Sequence, residues 1–104
     1  MQSYGPLSDV IDLEPLAQKW RSFGFDTREV DGHDVVALGE LVHSVPREPL
    51  KPSAVICHTV KGKGFPIAEG KADWHHKSGL SDEDITALYA VSYTHLTLPT
   101  ILLV

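Results

Sequence analysis

Residues 53–60, "SAVICHTV", constrain the fold more than any other stretch of the sequence. The run is nearly continuous in apolar residues and rich in β-branched ones, a pattern typical of a strand covered on both faces in a parallel sheet. Three prolines within residues 46–52 break any preceding helix and form a surface loop. A strand of this kind predicts an α/β layer.

Helical and extended segments alternate before this strand. A first helix is predicted between Asp12, as its N-cap, and Gly24, as its exit, followed by a short strand at residues 27–30. Asp34 is expected to cap a second helix that ends before the prolines. The first eleven residues are predicted to form a loop or a broken approach to the first element. The fold class that follows is α/β, a partial doubly wound parallel sheet.

The segment "LSDEDI" marks the start of a third helix. Ser81 is the expected N-cap, Asp84 its capping-box partner, and Leu80 with Ile85 the hydrophobic staple. We therefore predict a helix over residues 82–90.

Residues 91–104, "VSYTHLTLPTILLV", carry no formally charged side chain and end in an apolar run. Two interpretations are open, a further strand or a non-native tail, because the segment resembles the translated adapter read-through found at the ends of assembled sequence fragments. We prefer the second, which places the domain at residues 1–90 and leaves residues 91–104 outside it.

Composition narrows the class of partner. Nine basic and fourteen acidic residues give a formal charge of −5, which argues against a chain that holds nucleic acid or an anionic membrane by charge. The single cysteine, Cys57, cannot form an internal disulfide and is expected to be a buried apolar residue in a reducing compartment. The sequence has no signal-peptide pattern and no apolar run of membrane-spanning length, so we expect the cytoplasm.

The loop after the apolar strand is a candidate anion site. In "KGKG", Gly62 and Gly64 let backbone N–H groups turn toward an anion, while Lys61 and Lys63 add positive charge. Ligands of α/β layers bind outside the carboxyl ends of strands, and a diphosphate-bearing cofactor suits this loop. The loop matches neither GxxxxGK[ST] nor GxGxxG, and a solvated basic turn is the alternative interpretation.

Two adjacent histidines, His75 and His76, follow Trp74. On an extended backbone they point to opposite sides, so at most one should face a ligand, with Trp74 as the packing anchor. That histidine would donate to a phosphate oxygen or exchange a proton with a substrate hydroxyl. Two surface histidines without a role are the alternative.

The remaining histidines do not predict a zinc site. No closely spaced ligand pair is present, and one cysteine cannot build a structural site. His33 is expected to hold the turn in "DGHD" together with its neighbouring aspartates. His43 is expected on the solvent face of its helix, and His58 is expected to be packed or hydrogen bonded within the layer.

Four motifs in one order carry a family resemblance: "LEPLAQKWRSFGF", "EVDGHD", "KPSAVICHTVKGKG" and "WHHKSGLSDEDI". Residues 1–90 resemble the later part of the N-terminal, thiamine diphosphate-binding half of transketolase, especially the split bacterial form with separate N- and C-terminal subunits. Because several motifs occur in register, the resemblance is specific.

The resemblance implies transfer of a two-carbon ketol unit between phosphorylated sugars, in carbohydrate metabolism of the pentose phosphate type. It implies thiamine diphosphate and Mg²⁺ (or Ca²⁺) as cofactors. It also implies a C-terminal subunit or domain that carries the pyrimidine-binding site, and a dimer or heterotetramer when complete. Nucleic acid and membranes are not expected as partners.

Residue by residue, the resemblance implies that Lys61 and His75 contact the cofactor, with Gly62 and Gly64 as the loop glycines. It implies that His75 also reaches the hydroxyls of the donor sugar, as the catalytic residue. Met1 falls where a main-chain carbonyl reaches the metal in the family.

His76 departs from the family, which often has glycine at this position, and His75 is the preferred candidate for the role. The Gly-Asp-Gly segment and the asparagine that complete the metal site in the family are absent from the sequence, so the chain is expected to be inactive alone. Deoxyxylulose-phosphate synthase, which also carries "DGHD" and "KGKG", is the near alternative. A small non-catalytic module that binds phosphate or a partner is the other.

Overall fold

The computed structural model describes residues 4–102, and the side chains among them up to residue 94. Its elements are α1 (Leu7–Val10), α2 (Leu16–Ser22), β1 (Asp26–Asp31), α3 (Val35–His43), β2 (Ser53–His58), a 3-10 turn (Ala72–Trp74) and α4 (Asp82–Leu102). The chain forms two compact units. One is Pro6–Thr59, and the other runs from Val60 onward and includes residues 4 and 5.

The first unit is built on a parallel pair of strands. β1 and β2 pair in register from Asp26 opposite Ser53 to Asp31 opposite His58. Helices α2 and α3 both pack against β1, and α3 with the proline loop forms the crossover between the strands. The predicted α/β class and the parallel pairing are therefore confirmed.

β2 is less covered than its sequence predicts. It ends at His58, and Cys57 and His58 at its carboxyl end are exposed. The prediction of a buried cysteine is thus wrong, because a two-stranded sheet leaves the outer strand without a neighbour on one side. His58 lies in the solvent, yet its Nε2 is 3.0 Å from Oε1 of Glu29 on β1, so the predicted hydrogen bond within the layer is present.

The beginning of the chain differs from the prediction in two ways. A short helix, α1, occupies the predicted loop, closed by a 2.9 Å hydrogen bond from the Ile11 N–H to the Leu7 carbonyl. The next helix begins at Leu16, with Pro15 as its N-cap, and not directly after Asp12. The Asp12 carboxylate accepts from the Glu14 N–H, and the Glu14 carboxylate accepts from the Leu16 N–H. Gly24 (φ +90°) follows this helix as predicted.

Helix α3 begins where the sequence predicts. The Asp34 carboxylate accepts hydrogen bonds from Val36 N–H at 3.1 Å and Ala37 N–H at 2.9 Å, which satisfies two donors at the helix N-terminus. The turn before it is held by Asp31, whose carboxylate accepts from the His33 N–H at 2.9 Å. The aspartates therefore hold this turn as expected, and His33 takes part through its backbone N–H, while the role of its side chain stays a prediction.

Helix α4 begins with the predicted capping box. The Asp84 N–H donates to Ser81 Oγ and the Ser81 N–H donates to Asp84 Oδ2, both at 3.1 Å. The helix does not end at Ala90, however, and the strand interpretation of the following segment is wrong, since α4 continues to Leu102. No glycine or proline stands between Ser81 and Leu98, so the absence of charge alone does not stop the helix.

Burial within the described side chains is sparse. Among them, Ala17, Thr27 and Ala68 are buried, whereas many large apolar side chains are exposed, Leu50 to 98%. A single sheet of two strands cannot cover the apolar faces of its own helices. Within residues 4–102, no helix has both the length and the apolar content needed to cross a membrane.

Candidate functional site

The glycine-lysine loop of the second unit folds back on itself. The Gly70 N–H donates to the Lys61 carbonyl at 2.8 Å, which joins the two ends of the loop. Gly62 (φ +73°) and Gly64 (φ +93°) adopt the left-handed conformation. At Gly62 a Cβ would stand 2.7 Å from the carbonyl oxygen of Ala68, so no larger residue fits without a shift of the backbone.

Two backbone donors at the start of this loop form hydrogen bonds within the loop. The Lys63 N–H donates to the Val60 carbonyl at 3.1 Å, and the Phe65 N–H donates to the Gly62 carbonyl at 3.0 Å. These two groups are engaged in turns and do not point to a ligand. The glycines thus shape the loop, and these two N–H groups are not available to an anion.

The two lysines of the loop have different partners. Lys63 is exposed, and its Nζ lies 3.5 Å from Oε1 of Glu69. Lys61 is half-buried, and its Nζ lies 2.8 Å from Nδ1 of His75, fourteen positions along the chain. The structure therefore brings together the two residues that the sequence singled out.

The Lys61 contact affects the acidity of His75. Desolvation by the surrounding protein, the Lys61 ammonium and then His76 all lower the pKa of His75 below its ordinary value. These effects favour the neutral imidazole of His75. Because lysine only donates hydrogen bonds, Nδ1 of this imidazole is the acceptor.

His76 lies beside His75, which corrects the sequence prediction. The prediction assumed an extended backbone, with the two side chains on opposite sides. His76 instead has φ +55°, and the two rings meet edge to face with centroids 4.3 Å apart. A left-handed residue reverses the direction of the chain locally, and both imidazoles therefore share one side.

A cation–π contact anchors the histidine segment. Lys77 Nζ lies 4.1 Å from the centroid of the Trp74 ring, as well as 3.7 Å from Oδ2 of Asp84 at the start of α4. Trp74 was predicted as the anchor. Lys77 was missed, although a cation three positions after a tryptophan is a signal that could have found it.

A second feature of this unit is an open apolar pocket of about 560 Å³. It is lined by Phe65, Leu80, Ile85, Leu88, Tyr89 and Ser92. The two residues of the predicted staple thus contribute to a surface pocket as well as to the start of α4.

The predicted metal ligand cannot be located in the structure, because Met1, the candidate main-chain ligand, lies outside the described residues. Among the side chains that the structure describes, residues 4–94, no group of three or more His, Cys, Asp or Glu is arranged to hold a metal ion.

The fold defines the chain first as an α/β protein with parallel strands, and comparison with known proteins defines its family. The family model described as the transketolase thiamine diphosphate binding domain matches residues 7–94. The chain therefore belongs to the transketolase family, within its thiamine diphosphate binding domain.

Similar proteins carry transketolase names. An apulose-4-phosphate transketolase subunit of Actinobacillus succinogenes is 35% identical over 88 residues, which is 85% of this chain and 32% of that protein. The 6-deoxy-6-sulfo-D-fructose transketolase subunit SqwG of a Clostridium species is 38% identical over 76 residues, which is 73% of this chain and 28% of that protein. Transketolase-like protein 2 of Bos taurus is 38% identical over 72 residues, covering 69% of this chain and 11% of its own.

The chain spans about a third of the length of the bacterial subunits it matches. Its family is that of a transferase-type enzyme.

Proposed function

We propose that this chain is part of a transketolase that transfers a two-carbon ketol unit between phosphorylated sugars, with thiamine diphosphate and Mg²⁺ (or Ca²⁺). The observation that carries the proposal is the 2.8 Å pair of Lys61 and His75, beside a glycine turn, in a chain of this family. When bound, thiamine diphosphate supplies the carbanion chemistry of the transfer. The enzyme would work in the cytoplasm, in metabolism of the pentose phosphate type.

The donor set of the pair suits a diphosphate. An ammonium group has three N–H donors, so Lys61 keeps two after its hydrogen bond to His75. His75 has its second ring nitrogen, Nε2, for a further hydrogen bond. Phosphate oxygens accept such bonds, and hydrogen bonds between charged groups are among the stronger ones.

The proposed roles follow from this donor set. Lys61 binds the diphosphate side of the cofactor, Gly62 and Gly64 hold the loop that carries it, and His75 contacts the diphosphate side of the cofactor and the hydroxyls of the donor sugar. The main-chain carbonyl of Met1 belongs to the metal site in this proposal.

A partner subunit completes the proposed enzyme. Two of the relatives are named as subunits, which supports an assembly in which a C-terminal subunit or domain provides the pyrimidine site. We propose a dimer or heterotetramer of such pairs, and we propose that the present chain is inactive alone. Residues 1–90 form the domain in this proposal, with residues 91–104 as a non-native tail.

The test is a chimera in which residues 7–94 replace the matching segment of the Actinobacillus succinogenes subunit, expressed with the other subunit of that enzyme. We expect ketol transfer that depends on thiamine diphosphate and Mg²⁺. His75→Ala and Lys61→Met should each lower kcat/KM by about tenfold to a hundredfold, the worth of a hydrogen bond to a charged group.

Lys63→Met is the matched control, because Lys63 is paired with Glu69 and should leave kcat/KM within about twofold, as expected for an exposed ion pair. Full activity of the His75→Ala chimera would contradict the role of His75. Tight, magnesium-dependent binding of thiamine diphosphate to the present chain, measured by calorimetry, would contradict the view that the chain holds only one side of the cofactor.

A further inference from the structure

The imidazole of His75 has three possible states, and the geometry is compatible with one of them. Lys61 Nζ lies 2.8 Å from Nδ1, and a lysine ammonium has no acceptor. A proton on Nδ1, in the other neutral tautomer or in the imidazolium, would bring two donors face to face at this distance. The neutral form with its proton on Nε2 is the one that accepts from Lys61.

Both partners are held in place by the backbone. The Lys61 carbonyl accepts from the Gly70 N–H at 2.8 Å, and the left-handed turn at Gly62 follows directly. The His75 N–H donates to the Ala72 carbonyl at 3.0 Å. The backbone on both sides of the contact is therefore held by the loop and by the 3-10 turn.

The charge around the pair agrees with this state. Desolvation, Lys61 and His76 each lower the pKa of His75. The second lysine of the loop, Lys63, lies against Glu69. Lys61 is thus the lysine that acts on His75.

We propose that Lys61 is a positioning residue for His75: its ammonium group fixes the imidazole as the neutral tautomer with the proton on Nε2, so that His75 acts as a hydrogen-bond donor. The sequence left two roles open for this histidine, donation to an oxygen and proton exchange with a hydroxyl. Lys61 selects the first, since a donor that is already protonated on Nε2 does not accept a proton there. The identity of the oxygen, on a diphosphate, rests on the proposed function, whereas the tautomer does not.

The experiment is nitrogen-15 NMR on the full chain, with the His75 resonances assigned by their loss in His75→Gln. At pH 7.5 we expect a protonated Nε2 and an unprotonated, hydrogen-bonded Nδ1. In Lys61→Met the single tautomer should relax to a mixture, and the pKa of His75 should rise toward 6.5, its ordinary value. Lys63→Met should change neither, and Lys61→Arg, which restores a donor, should restore the Nε2 tautomer.

Circular dichroism of each variant reports folding separately, so a loss of structure would not be mistaken for this pattern. A proton on Nδ1 in the wild-type chain overturns the proposal, as does an unchanged tautomer and pKa of His75 in folded Lys61→Met.

A second arm adds inorganic pyrophosphate to the wild-type chain. Movement of the Nε2 resonance without protonation of Nδ1 supports both the positioning role and the proposed function. An unmoved resonance in a chain that shows the Nε2 tautomer supports the action of Lys61 on His75 and counts against the diphosphate contact. Protonation of Nδ1 on binding overturns the positioning role.

Discussion

Three glycines of the second unit allow the conformation and the packing of the candidate loop to be measured separately. Gly62 has φ +73°, and an added Cβ would lie 2.7 Å from the oxygen and 2.9 Å from the carbonyl carbon of Ala68. Gly70 has nearly the same φ, +72°, with no atom within 4 Å of an added Cβ. Gly79 also has open space and lies outside the left-handed region. A comparison of the three alanine variants therefore separates the cost of the left-handed conformation from the cost of the clash with Ala68.

The magnitudes follow from these differences. At Gly79 an alanine reduces the entropy of the unfolded chain and should stabilise by about 0.4–1 kcal/mol. At Gly70 the left-handed conformation costs an L-residue about 1–2 kcal/mol, so the chain should lose about 1 kcal/mol after the entropic gain. At Gly62 the clash with a backbone carbonyl adds a further cost of about 1–3 kcal/mol.

The assay is urea unfolding followed by the fluorescence of Trp74, in a Trp20→Phe background so that one tryptophan reports. The free energies of unfolding are compared at a common m-value. We expect the order Gly62→Ala, Gly70→Ala, Gly79→Ala from least to most stable. Equal losses at Gly62 and Gly70 would refute the close approach of the Ala68 carbonyl, and a stabilised Gly70→Ala would refute the left-handed turn.

Three further predictions concern other parts of the chain. Ser81→Ala removes the N-cap side chain of α4 and should lower the free energy of unfolding by about 1 kcal/mol, as measured by denaturation, while Ser81→Gly should cost only a few tenths; an unchanged free energy of unfolding in Ser81→Ala would argue against the capping hydrogen bond. Cys57 is exposed, so Ellman's reagent should label the folded chain as fast as the urea-unfolded chain within about tenfold; protection of the thiol would show that β2 is covered. Because the pKa of His75 is lower in the folded chain than in the unfolded chain, the unfolded chain binds a proton at His75 at a higher pH. The free energy of unfolding should therefore fall as the pH drops below about 6.5, and His75→Gln should remove this part of the pH dependence. An identical pH profile in the variant would contradict the shift.

Elements with local signals could be predicted from the sequence. The caps at Asp34 and Ser81 are made by a side chain and by backbone groups two or three residues away, and both occur as predicted. Asp12 shows the limit of such signals, because its carboxylate accepts from the Glu14 N–H and yet the helix begins only at Leu16.

The candidate site was predictable in its members and not in its arrangement. Lys61 and His75 stand out in the sequence through the glycines and the tryptophan next to them, and they are in contact. Their roles in a cofactor site stay a prediction. The arrangement of the two histidines could not be read from spacing, because it depends on the sign of one backbone angle, φ at His76.

Local sequence was sufficient for the α/β class, for the capped starts of two helices and for the family, since each depends on residues that are neighbours along the chain. Contacts between distant residues settled the rest. The exposure of Cys57 depends on how many strands lie beside β2, and the tautomer of His75 depends on a lysine fourteen positions away. Neither burial nor hydrogen bonding across a loop is encoded at a fixed spacing, and both require the folded chain.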